Sequence, residues 1–101
     1  MYVPTTDQPI ETLEKEVIPT LLFSSDDVLA SSEERQQRHA AAERATRLGN
    51  AHHGKVDIFF KTADGQTKRV QTSVWAAHTL HITLKSGVTL PVRAILGFDF
   101  Y

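Results

Sequence analysis

The sequence predicts an α+β domain in which N-terminal helices precede a four- to five-stranded antiparallel small barrel. Three observations carry that prediction. Between Val56 and Phe100 the apolar residues recur in four short alternating runs, the pattern of half-buried strands. Two of the breaks between runs, Ala63-Asp64-Gly65 and Lys85-Ser86-Gly87, end in glycine, as hairpin loops do. Upstream, an alanine-rich stretch opens on Ser31 and Glu34 at capping-box spacing. The expected division is an extension over residues 1–30 with a short helix, then a helix-plus-barrel domain over 31–101.

Taken in order, residues 1–9 carry two prolines and no apolar period, which predicts a loose start. Ile10, Leu13, Val17 and Leu21 recur at helical spacing, and Pro19 limits that helix to about 10–18. Leu21-Leu22-Phe23 follows without a period of its own, and its expected place is against the barrel or against a second copy of the chain. Ser24-Ser25-Asp26-Asp27 reads as a cap for a short helix over Val28-Leu29. The main helix is expected over 32–48, stopped at Leu48-Gly49-Asn50. Its stripe is thin, with Ala41, Ala45 and Leu48 on one side. Glu34–Arg38 and Glu43–Arg47 stand at i, i+4, which predicts two weak helical ion pairs.

The hydrophobic pattern also selects the strand register. Val56, Ile58 and Phe60 share a parity with Val70, Thr72 and Val74. A two-residue Asp64-Gly65 turn would pair Ile58 with Gln71 and throw one apolar face outward. A three-residue loop instead pairs Ile58 with Val70 and Val56 with Thr72. The same reasoning at Lys85-Ser86-Gly87 sets Leu84 opposite Val88 and Ile82 opposite Leu90. Type I turns closed by a glycine bulge fit both loops. The expected core is therefore Val56, Ile58, Phe60, Val70, Val74, Leu80, Ile82, Leu84, Leu90 and Val92. Ala77-His78-Thr79 is a break without glycine, Pro91 marks an edge or bend, and Arg93-Ala94-Ile95 a tight turn before a last strand over 96–100.

This order of elements resembles the Sm-like and SH3-like small barrels, without their diagnostic motifs. Leu48-Gly49-Asn50, Lys55-Val56, Thr72-Ser73-Val74-Trp75-Ala76 and Gly87-Val88-Thr89-Leu90-Pro91 resemble an uncharacterised family of short bacterial proteins over residues 31–101. That resemblance implies a fold and transfers no site residue.

Composition narrows the function classes without choosing one. Eleven Lys and Arg against twelve Asp and Glu leave a net charge of −1, so nucleic-acid binding would need a local patch. The chain has no cysteine, which excludes disulfides and thiolate metal sites. Met1-Tyr2-Val3-Pro4-Thr5 lacks a basic region followed by an apolar run, and no stretch of eighteen apolar residues occurs, so a cytoplasmic protein without membrane contact is expected.

No catalytic constellation is present in the sequence. Its serines lie at a cap, a turn or a strand with no signature around them, and Asp57, Asp64 and Asp99 are scattered. The expectation is a non-enzyme without cofactor. On an extended strand i and i+3 point to opposite faces, so His78 and His81 converge only if the loop bends them together, and adjacent His52 and His53 diverge unless the linker turns; with no established ligand spacing present, solvated loop histidines are the favoured reading. The register places Phe59 opposite Arg69, Asp57 opposite Gln71, and Trp75 near His81. Phe59, Arg69, Gln71, Trp75 and His81 are thus the candidate surface for a partner or for stacked bases. The competing reading is that the N-terminal segment or the helix covers this face as a second small core. Balanced charge and the apolar segment 10–23 favour a protein-interaction or scaffold module, with an unknown protein or a second copy of the chain as partner. Strand order and the Phe59–Arg69 pairing favour the alternative, a small RNA-binding barrel.

Overall fold

The structure is a computed structural model that describes residues 2–101; the expectation for Met1 falls outside the described residues. One long helix packs on seven short strands arranged as two sheets, neither closed into a barrel. The strands are β1 (Glu11–Leu13), β2 (Val56–Lys61), β3 (Thr67–Thr72), β4 (Val74–Ala77), β5 (His81–Leu84), β6 (Thr89–Pro91) and β7 (Ile95–Phe100), and the helix α1 is Ser32–His52. One sheet runs β1-β3-β2-β7 and the other β4-β5-β6.

The expected register is present residue by residue. β2 and β3 pair antiparallel with Ile58 opposite Val70 and Val56 opposite Thr72, and β5 pairs with β6 with Ile82 opposite Leu90. Gly65 and Gly87 have φ of +85° and +84°, where glycine alone is unstrained. The second loop departs from the expected turn in one respect: Ser86 is also left-handed, at φ +68°. Eight of the ten expected core residues are fully buried. Leu80 is the exception at 78 % exposure, because it lies in the turn between β4 and β5 rather than on β5. Val92 packs only partly on the core, in a 3-10 turn over Val92–Ala94.

The barrel fails to close at Ser73. Sequence parity runs unbroken from Val70 to Val74, yet β3 and β4 belong to different sheets. The Ser73 hydroxyl donates to His53 O at 3.1 Å and its carbonyl accepts from Lys85 N–H at 3.0 Å. Those two bonds anchor the bend to the end of α1 and to the β5–β6 loop, turning the chain from one sheet into the other.

The segment expected as a helix over 10–18 is instead a strand and a 3-10 turn over Lys15–Thr20. β1 joins β3 in parallel, Leu13 beside Val70. It satisfies backbone groups that β3 would otherwise leave at an open edge, a reward local periodicity does not register. The buried residue of the 3-10 turn is Ile18 at 1 % exposure, while Val17, on the expected stripe, faces out. Leu13, Leu21 and Phe23 pack against the core of their own chain, whereas Leu22 between them is 79 % exposed.

Ser31 caps α1 as expected, its Oγ accepting from Glu34 N–H at 3.1 Å. The helix does not stop at Gly49. It continues one turn and ends on left-handed His53, φ +52°, whose N–H reaches Gly49 O at 3.0 Å. Gly49 has a different task. It is buried against β4, where a Cβ would overlap the Val74 carbonyl oxygen, so its bareness sets how closely helix and sheet approach. Ala42 and Ala45 complete that contact face.

Candidate functional site

The candidate residues fall on two separate sheets. Phe59, Arg69 and Gln71 share the outer face of the β1-β3-β2-β7 sheet, in the expected pairing of Phe59 with Arg69 and Asp57 with Gln71. Trp75 and His81 lie on the β4-β5-β6 sheet.

Phe59 is 4 % exposed because the N-terminal segment covers it. The Tyr2 ring lies 5.4 Å from the Phe59 ring, centre to centre, and presses on Gly97 beside it. Residues 2–9 form no helix or strand, and beyond the half-buried Tyr2 and Pro4 they are exposed, in keeping with the expected loose start. Arg69 stands at the margin, its guanidinium carbon 6.0 Å from the Phe59 ring centre and its Nε donating to Thr12 Oγ1 at 2.8 Å. Further along, the Tyr101 hydroxyl donates to Asp57 Oδ1 at 2.6 Å. Loss of water around that hydroxyl, then the Asp57 carboxylate, pushes the phenol up to about 12. The face is thus largely satisfied within the chain.

The second sheet is more open. Trp75 is 45 % exposed, at a bulge where the β4–β5 register shifts between Val74 and Ala76. It does not stand beside His81 in the ladder. His78 does: its N–H donates to His81 O at 2.9 Å, closing a two-residue turn, Thr79-Leu80. Neither turn residue has positive φ, so this connection needs no glycine. Trp75, His78, Leu80 and His81 are all exposed on one hairpin.

Sequence reasoning missed two pairings. Arg38 is buried at 6 % exposure, with Nη1 and Nη2 donating to the two Asp27 carboxylate oxygens at 2.9 and 2.7 Å, and Nη1 also to Ile95 O at 3.0 Å. Asp27 does not begin a helix. It accepts from Leu29 N–H at 2.8 Å and ties the loop to α1, and the Arg38 guanidinium holds its carboxyl below the usual range. The Glu34–Arg38 pair therefore does not form, and Glu43 pairs with His39 at 2.9 Å rather than with Arg47. Arg44, the second missed residue, lies over the Phe100 ring at 4.1 Å. These two line a cleft of about 320 Å3 with Arg47, His52 and Tyr101. The 44, 47, 51 spacing of one helix face was the available signal; its partner strand was not.

Among the described residues no helix is long and apolar enough to cross a membrane, and no three His, Cys, Asp or Glu side chains converge as a metal cluster. No protein-family model, curated protein or solved structure matches the chain.

Proposed function

We propose that this protein is a non-enzymatic interaction module whose contact surface is the exposed β4–β5 hairpin, and that its first partner is a second copy of the chain. The observation that carries this reading is the half-exposed Trp75, the one tryptophan of the chain. Isolated apolar side chains at a surface are ordinary. A tryptophan on the same hairpin as a 78 % exposed leucine supplies the rigid apolar anchor that binding surfaces concentrate. Sedimentation equilibrium over a wide concentration range tests it. The wild type is expected to rise above monomer mass, and Trp75→Ala combined with Leu80→Ser to remain a folded monomer. A wild type that stays monomeric throughout overturns the proposal.

A second reading, a nucleic-acid-binding domain of the Sm-like or SH3-like kind, is favoured by one observation. Arg44 stacks on Phe100 with Arg47 beside it, and neither arginine is in an ion pair among the described residues. Such a cation–aromatic cleft suits a stacked base and its phosphate. Bound RNA in the purified protein, lost steeply with salt and absent from Arg44→Ala, would establish that reading instead.

A further inference from the structure

We propose that His78 and His81 form a two-imidazole site for a divalent transition-metal ion of the zinc class. On a straight strand, residues three apart diverge, and the pair would be two unrelated surface groups. The Thr79-Leu80 turn reverses the chain between them and makes them cross-strand neighbours. Their ring centres are 4.6 Å apart and their planes differ by 31°. With Zn–N bonds of about 2.0–2.1 Å and tetrahedral angles, two imidazoles on one ion place their ring centres roughly 5.2 Å apart. The observed separation is within roughly 0.6 Å of that distance, so rotation of the two exposed rings can bring one nitrogen of each onto a common ion.

Three further features suit the site. The backbone beneath it is fixed, because the His78 N–H to His81 O bond closes the turn and the adjoining Ile82 is buried at 1 % exposure. Both residues are exposed, and among the described residues the one histidine side chain in an ion pair is His39, so the His78 and His81 nitrogens remain available. Imidazole is the ligand type that zinc, copper and nickel share. Since no third His, Cys, Asp or Glu joins the pair, water completes the coordination. A bound ion would tie β4 to β5 at their turn, holding Leu80 in place.

The other histidines provide internal controls. His39 is occupied by Glu43 at 2.9 Å on α1, and His52 and His53 lie at the far end of that helix. Titrating the full chain with zinc chloride in a non-chelating buffer, by calorimetry and by the imidazole proton resonances, tests the assignment. One ion per chain is expected, moving the resonances of His78 and His81. Either His78→Gln or His81→Gln should weaken binding about tenfold or more, since each removes half of the protein ligands, while the variant stays folded by circular dichroism. His39→Gln and His52→Gln should leave it unchanged. Zinc should also raise the melting temperature of the wild type and not of His81→Gln. Absence of saturable binding, or loss that follows His39 or His52 instead, overturns the proposal. In that case the pair is an aromatic contact closing a hairpin and nothing more.

Discussion

Replacing Gly49 with alanine sets two effects of opposite sign against each other, and the structure decides between them. In a helix interior alanine is favoured over glycine by about 1 kcal/mol, and Gly49 lies three residues from the end of a 21-residue helix. Seen only from the helix, the substitution stabilises. A Cβ there, however, overlaps the Val74 carbonyl oxygen and comes within 3.2 and 3.3 Å of the Val74 carbonyl carbon and amide nitrogen. These are backbone atoms of β4, which cannot rotate aside as a side chain would. Relief requires α1 to lift from the sheet along the face that buries Ala42 and Ala45. Overpacking of this kind costs about 1–3 kcal/mol, and a rigid obstacle puts Gly49 at the upper end. The net expectation is a loss of about 2 kcal/mol, a fall in melting temperature of roughly 10 °C for a domain of this size. Asn50→Ala, one residue on and exposed, isolates the helix term and should gain about half a kcal/mol. Urea unfolding of both variants gives the answer. A Gly49→Ala protein as stable as wild type would refute the close approach of helix and sheet.

Asp27→Asn leaves the buried Arg38 guanidinium without its counter-charge and should cost about 3 kcal/mol in urea unfolding. Because the folded-state pKa of Asp27 is depressed, its contribution is present above the unfolded carboxylate value of about 3.9 and is lost as pH falls through the native value. The wild type should therefore lose stability on acidification more than the variant does. Comparing the two isolates Asp27 from Asp64 and Glu16, which are also lowered; parallel pH profiles would contradict the pairing. Ile58→Ala should cost roughly 2–5 kcal/mol, the range for truncating a fully buried aliphatic side chain. A loss under about 1 kcal/mol would contradict its central place in the β2–β3 register.

The register was legible because parity is a two-valued constraint. Once Ile58 and Val70 had to share a face, only an odd loop length served, and glycine marked where it lay. The capping box at Ser31 was legible for a similar reason, being a local hydrogen-bonding problem solved by residues three apart. What stayed hidden depended on distant partners. Ile10 to Leu21 has helical spacing, but the open edge of β3, more than fifty residues away, captures Glu11–Leu13 as a strand. Arg38 reads from the sequence as the partner of Glu34 one turn away, because nothing local reveals that Asp27 meets it from a loop. The candidate surface divided for the same reason. Phe59 and Arg69 pair as the register required, while Ser73, bonded to the end of α1, sends Trp75 and His81 to another sheet.

The shortness of β1 has a consequence for how the protein behaves in a crowded solution. A strand of three residues, with Pro9 two positions before it and Pro19 six positions after it, offers too little backbone to template another strand. It nevertheless occupies the side of β3 that would otherwise recruit one. β1 thus acts as a terminator for sheet growth, held by its ladder and by the Lys68–Glu11 and Arg69–Thr12 contacts, at 2.9 and 2.8 Å. Its pairing spans 57 residues of chain, a long-range contact beside the local β2–β3 and β5–β6 hairpins. Where β1 detaches, the side of β3 it covers becomes an open edge able to pair with another strand.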